Sequence, residues 1–328
     1  MLPFGATYVP QVRFDGLTSA LAYFKNSYPA ATFRHLAIDP DTKDRFEVDI
    51  PQWLFRGEAG TWPRTASSME RIQSLKHGVF ASMPENVRSS FARALEAISI
   101  RATNELAEWF GLGTMQAAGF AQHYGLPTEF LDVTASLDVA VAFAIDDPKG
   151  WTAPKIVSFA VLDMRQAIDR CVVADLGTLV QIARRPAIQS AYGLFHKSHR
   201  DLKDPVCISE VGLHWYEVII HPQEAICYTA TPNLLDAHKD QVAGAVQLIL
   251  DDLAKVDGKW PDPIALFLSQ NVAAAPFVAR VTQWRGGQPE VVEIVSAEDA
   301  GQVFKEAEIR DYSRRLWSRD YPDVTSRY

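Results

Sequence analysis

Residues 121–136 read Ala121-Gln122-His123-Tyr124-Gly125-Leu126-Pro127-Thr128-Glu129-Phe130-Leu131-Asp132-Val133-Thr134-Ala135-Ser136, and ten of the sixteen can hydrogen-bond or bend the chain. Loops of that composition commonly carry a site. The tail of the stretch follows helix-start rules: Ser136 is a good N-cap, Asp138 falls in the first turn, and Val139-Ala140-Val141-Ala142-Phe143-Ala144 is an apolar run fit for a buried helix. On these residues alone, Thr134 and Ser136 are explained by capping. His123 reads equally as a satisfied half-buried histidine, and Asp132 as a loop carboxylate bonded to nearby backbone N–H groups.

Upstream of the loop, Phe91, Leu95, Ile98, Ala102, Leu106 and Trp109 repeat at steps of three and four, which predicts one helical face ending at Gly111. Strand signals are missing from 67 to 119. Before that segment, residues 17–29 predict a short helix closed by Pro29, and His35–Ile38 and Gln52–Arg56 read as strands separated by the turn Asp39-Pro40-Asp41 and a charged stretch. Downstream, Lys155–Leu162 and His214–His221 are strong strand runs bounded by Pro154 and Pro222, with a shorter run at Ile188–Phe195. Residues 231–256 look helical, 277–296 predict a hairpin around Gly286-Gly287, and Asp299–Trp317 predicts an amphipathic helix. Strands and helices fall into blocks without βαβ alternation, so the fold class is α+β.

Composition removes several functions. The chain has 328 residues, 48% hydrophobic and 22% charged, enough to bury a large core. A net charge of −8 is the wrong sign for a protein that grips duplex nucleic acid by neutralising phosphates. The longest apolar run, Val139–Ile145, is far short of a membrane span, and residues 1–7 lack the basic and apolar parts of a secretion signal, which leads to a cytoplasmic expectation. Cys171, Cys207 and Cys227 match no zinc or redox spacing and are expected to be reduced core or strand residues. No P-loop, dinucleotide-fold, zincin or nucleophile-elbow motif is present. The pair His196 and His199 lacks a completing ligand set and reads as a solvated basic loop, so no metal is expected.

Two further clusters carry chemistry. Phe55-Arg56-Gly57-Glu58 ends a strand, where an Arg followed by a Gly suits a fork of donors aimed at a phosphate or carboxylate, or else an Arg paired to Glu58. Arg185-Pro186-Ala187-Ile188-Gln189-Ser190-Ala191-Tyr192-Gly193-Leu194-Phe195 precedes a strand holding Glu217. A strand carboxylate facing a cleft braces a sugar hydroxyl, and on the outer face it is merely solvated. Sequence leaves the face open.

In this order the clusters resemble the FRG domain family. Phe55-Arg56-Gly57 is similar to its name-giving motif, and Trp62–Arg71 to the Pro/Ser-rich segment that follows. Gln122–Thr128 continuing to Leu131–Thr134 and Ala140–Ala144 resembles the long central signature, and Arg185–Phe195 the closing element; the likeness runs over roughly residues 45–225. Glu129 departs from a usual Arg and Val133 from a usual Trp.

The resemblance implies an ADP-ribosyltransferase-like fold: a split antiparallel sheet with a helical insertion at 67–119 and extra C-terminal α/β elements. It divides the chain into an N-terminal extension (1–44), the FRG domain (45–230), and C-terminal helices and a hairpin (231–328). It implies NAD as substrate, glycosyl transfer of ADP-ribose to a protein or nucleic-acid acceptor, or NAD hydrolysis, in a toxin or phage-defence setting; a non-catalytic binding module is the alternative. Arg56 would hold phosphates, Thr134 and Ser136 would pack near the nicotinamide ribose, and either Gln189 or Glu217 would orient the ribose 2′-hydroxyl. Gly57, Gln122, Tyr124, Thr128 and Asp132 would line the nucleotide site, and His123 would take a catalytic place. Gln122, His123 and Asp132 are alternatively the centre of a hydrolase with a different substrate. No membrane partner is implied, and a homo-oligomer is compatible.

Overall fold

The computed structural model describes residues 10, 12–38, 45–62, 64–74, 83–110, 112–145, 151–176, 186, 189–197, 201–229, 241–258, 260–272, 279–285, 288–294 and 316–317. The architecture is α+β, built on an eight-stranded sheet. In chain order its strands are β1 (Val12–Asp15), β4 (Trp53–Glu58), β5 (Leu131–Thr134), β6 (Lys155–Asp163), β7 (Cys171–Asp175), β8 (Ala191–His196), β9 (Leu213–Ile220) and β12 (Leu316–Trp317). They lie in the order β1-β9-β6-β4-β5-β8-β7-β12. All neighbours are antiparallel except the edge pair β1 and β9, so the sheet is mixed and largely antiparallel. Two hairpins stand apart from it, β2 (Thr32–Ile38) with β3 (Arg45–Pro51), and β10 (Ala279–Arg285) with β11 (Gln288–Ile294).

One face of the sheet carries a single apolar layer. Leu54, Ala160, Leu162, Leu131, Val133, Leu194, Val173 and Trp215 project into it and are covered by Ile50 of β3, by α6 (Met164–Ala167) and by α7 (Pro205–Glu210). The other face is divided. Over β4, β6 and β9 lie α1 (Leu17–Ser27) and α5 (Leu137–Ile145), which bury Phe24, Val141 and Ala144 against Phe55, Phe159 and Val218. Over β8 and β7 lie α3 (Glu85–Phe110) and α4 (Thr114–His123), with α9 (Gln241–Asp257) and α10 (Asp262–Asn271) behind them. The helices α2 (Ser68–Ser74) and α8 (Pro222–Thr229) complete the set.

The predicted helical face is the buried face of α3: Leu95, Ile98, Ala102, Leu106 and Trp109 are all inside. The all-apolar run after Ser136 is α5, buried as its composition required. Four strands lack a sequence expectation, the edge strand β1 among them. β3 falls in the charged stretch, because Arg45, Glu47 and Asp49 alternate outward along an exposed hairpin. β5 spans only four residues inside what reads as loop, and β7 is the buried Cys171–Asp175 run. Leu316 and Trp317 pair with Ala174 and Val173 as a strand, where an amphipathic helix was expected; sheet pairing overrides helical periodicity there. The turn Asp39-Pro40-Asp41, the rest of the 299–317 segment, Gly286-Gly287 and His199 lie outside the described residues.

Cys171 and Cys207 are buried, and burial pushes both thiols up, Cys207 to about 12. Cys227 is the correction to the expectation of core cysteines: it lies exposed on α8. His196 is also inside at the end of β8, not in a solvated loop. No described helix is long and apolar enough to cross a membrane.

Candidate functional site

The sheet splits between β4 and β5. These neighbours share a single register pair, Phe55 with Thr134, and diverge beyond it. The divided helical layer parts at the same place, since α5 packs over β4 while α4 packs over β5 and β8. A cavity of about 130 Å3 opens there, walled by Phe55, Arg56 and Gly57 of β4, Asp132–Thr134 of β5, His123 at the end of α4, Phe143 of α5, and Gln189 with Ala191 at the entry to β8. It exceeds the cavities of about 40 and 20 Å3 elsewhere.

Arg56 spans the split. Its Nη1 donates to the Asp132 carbonyl at 2.7 Å, replacing the backbone bond that the diverging strands do not make, and its Nε donates to Glu58 Oε1 at 3.1 Å. The readings of Arg56 as an ion-paired residue and as a cleft residue are thus both realised. Arg71 on α2 stands close by. It keeps part of its side chain in solvent, while burial and then the charge of Arg56 lower its pKa, with Glu58 and Asp132 opposing. The charges of Arg56, Glu58 and Asp132 thus all act on Arg71, while of the two arginines only Arg56 lines the cavity.

Gly57 is required by a close approach. A Cβ there would lie 1.8 Å from the Ala140 carbonyl and 3.0 Å from the Ala144 Cβ, so the glycine admits the backbone of α5 against β4. The same glycine also lines the cavity, where its expected use is to admit a ligand.

Thr134 and Ser136 hold the opposite wall together. Thr134 Oγ1 donates to the Gln189 carbonyl at 2.6 Å and accepts from the Ser136 N–H at 2.9 Å, while Ser136 Oγ accepts from the Val139 N–H at 3.4 Å as the cap of α5. Ser190, next to Gln189, takes φ +44°, a left-handed conformation uncommon for Ser, and its carbonyl accepts from the Ala135 N–H. This turn brings Gln189, fully buried, to the cavity wall.

Several expected site residues have other duties. Gln122 Oε1 accepts from Ser68 Oγ at 2.6 Å and from Thr128 Oγ1 at 3.0 Å, and Thr128 Oγ1 accepts from the Phe130 N–H. Gln122 and Thr128 thereby staple α2 to the central loop, and neither lines the cavity. That leaves the hydrolase alternative without one of its three residues. Tyr124 is buried edge-on to His123 behind the wall. Gly125, at φ +91°, turns the chain out of α4.

Gln189 and Glu217 separate. Glu217 pairs across β6 with Ser158, itself opposite Glu58 of β4, so two strand spacings of about 4.8 Å each lie between Glu217 and β4. Its carboxylate is 4.0 Å from Arg13 Nε. By strand alternation it shares the face of Trp215, Arg56 and Glu58, and strand order alone sets it apart from the split. Of the two candidates for the ribose, Gln189 is in the cavity and Glu217 is not.

Three contributors have no functional expectation from sequence: Arg71, Glu58 as more than a partner for Arg56, and Lys203. The first ends the Ser-rich segment quoted above, which is the one signal available for it. Lys203 lies far along the chain and has none. Among the described residues no group of three His, Cys, Asp or Glu could hold a metal ion.

The FRG domain family model matches residues 51–151 of this chain, which therefore carries an FRG domain. The match takes in Arg56, Gly57, Arg71, His123, Asp132, Thr134 and α5, and it ends before Gln189 and Glu217. Neither a curated protein nor a solved structure matches the chain.

Proposed function

We propose that the FRG domain binds NAD in the cleft between β4 and β5 and breaks its N-glycosidic bond, passing ADP-ribose to an acceptor or to water on an ADP-ribosyltransferase-like fold. The observation that supports the reading is the convergence of Arg56, Asp132, Thr134 and Gln189, from three separate chain segments, on one break in the sheet. Arg56 and Arg71 suit a diphosphate. Arg56 Nη2 bonds nothing among the described residues, which leaves it for a phosphate oxygen.

Cleavage builds positive charge on the ribose as the C1′–N bond lengthens and the electron pair leaves with nicotinamide. The Asp132 carboxylate, in a cavity walled by Phe55, Val133 and Phe143, favours that charge, and it accepts the proton of the nucleophile that bonds to C1′. The Gln189 amide orients a ribose hydroxyl. Helices α4 and α5 close the flanks and limit water, which favours transfer over hydrolysis. Loss of NAD or modification of a target by such an enzyme fits a toxin or a phage-defence effector.

The test is nicotinamide release from NAD by the purified protein. Arg56→Ala should lower the rate about a hundredfold or more, and Asp132→Asn about tenfold to a hundredfold. A second reading, a binding module without turnover, is favoured by one feature: of the two ribose candidates the cavity is lined by Gln189, a neutral amide, and not by the carboxylate of Glu217. NAD-induced thermal stabilisation that needs Arg56, without nicotinamide release, would select it. No release and no stabilisation would refute both.

A further inference from the structure

Behind Arg56 runs a buried chain of charges. Glu58, which accepts from Arg56 Nε at 3.1 Å, also accepts from Thr65 Oγ1 at 2.9 and 3.1 Å and faces Lys203 Nζ at 3.4 Å. The Glu58 and Lys203 side chains are only 6% and 2% exposed. Lys203 Nζ also donates to the Trp62 carbonyl and sits 4.4 Å from the centroid of the Trp215 ring. A clamp holds the ensemble: Asp201 accepts from the backbone N–H groups of Thr65 and Lys203, Arg64 pairs with Asp201 at 3.0 Å, and Leu202 N–H donates to the Thr65 carbonyl.

A carboxylate beside an arginine has two opposed effects. It fixes the guanidinium, and it cancels the charge that an anion would meet. Arg56 and Glu58 alone sum to zero; with Lys203 the triad sums to +1, in an interior where charge is poorly screened. A buried lysine costs desolvation, and burial does lower the pKa of Lys203, with Glu58 first and Asp201 next opposing that loss and Arg56 adding to it. Packing alone would be served as well by an apolar side chain against Trp215.

We infer that Glu58 and Lys203 are positioning residues for the anion site: Glu58 sets the Arg56 guanidinium across the split, and Lys203 restores the positive charge that Glu58 cancels. The inference rests on the anion-holding role proposed for Arg56, and not on whether NAD is cleaved.

The test uses the full chain with ADP as probe, binding measured by calorimetry and the Arg56 Nε–H followed by its exchange with solvent in NMR, assigned by its loss in Arg56→Lys. Lys203→Met should weaken ADP by roughly tenfold or more, while Lys203→Arg stays within about threefold of wild type. The double variant Glu58→Gln/Lys203→Met, which keeps the sum at +1, should recover affinity toward wild type yet expose the Arg56 Nε–H to fast exchange. Unchanged ADP affinity in Lys203→Met, or absence of ADP binding to the wild type, would overturn the charge role. If Lys203→Met does not fold, the double variant still decides: a protected Arg56 Nε–H in it would overturn the positioning role. ADP bound through Arg56 and Lys203 by a protein that neither binds nor cleaves NAD would refute the NAD reading and leave this one standing.

Discussion

β6 and β9 pair without a break from Lys155 with Ile220 to Leu162 with Leu213, whereas β4 and β5 meet at Phe55 and Thr134 alone. In the first region the backbone ladder supplies the cohesion, and side chains have only to fill the layers on either face. In the second, side chains stand in for the ladder: Arg56 reaches the Asp132 carbonyl, and Thr134 reaches the Gln189 carbonyl. A complete ladder leaves no donor or acceptor for a ligand. An interrupted one leaves a cavity already lined with oriented polar groups, which is why the candidate site is at the split.

That contrast breaks most severely at Gly57, whose neighbour α5 forms the edge of the split. Gly57→Ala forces a Cβ into the Ala140 carbonyl, backbone that cannot swing aside, and should cost about 3 kcal/mol or prevent folding. Thermal unfolding by circular dichroism checks it; an unchanged midpoint would mean that α5 is free to move away from β4. Thr134→Val is next. It removes the donor to Gln189 and the acceptor for Ser136 N–H at a buried position, and should cost about 1–3 kcal/mol by denaturant titration. Any nicotinamide release should fall with it, because Gln189 loses its anchor. Glu217→Gln should do least. Its carboxylate is partly solvated, at 4.0 Å from Arg13, so stability should move by no more than about 0.5 kcal/mol and NAD cleavage should be unchanged. A large loss of activity would return Glu217 to the mechanism and place the cleft elsewhere.

A thiol readout separates the layers independently. Cys227 should react with an alkylating reagent in the native protein, while Cys171 and Cys207, buried and held protonated, should react only on unfolding.

The legible parts of the fold are those in which one residue pattern meets one environment. α3 shows its face because Leu95, Ile98, Ala102, Leu106 and Trp109 all meet the same core, and β6 and β9 show as apolar runs because both their faces are covered. β5 is illegible because its alternation serves two purposes in four residues, Leu131 and Val133 to the core and Asp132 and Thr134 to the cavity. In the site, Arg56, Asp132, Thr134 and Gln189 are readable from their motifs. Nothing local separates Gln189 from Glu217, since the choice is one of strand order. Lys203 is invisible for a related reason: it reaches Glu58 across 145 positions of chain, through the clamp at Asp201.

The most direct measurement is amide hydrogen exchange of the whole chain with and without saturating NAD. The account predicts slowed exchange at residues 55–57, 132–134 and 189–191 on both sides of the split, with 156–162 and 214–220 unchanged. Slowing confined to β6 and β9, or none at the split while NAD is bound, would contradict it.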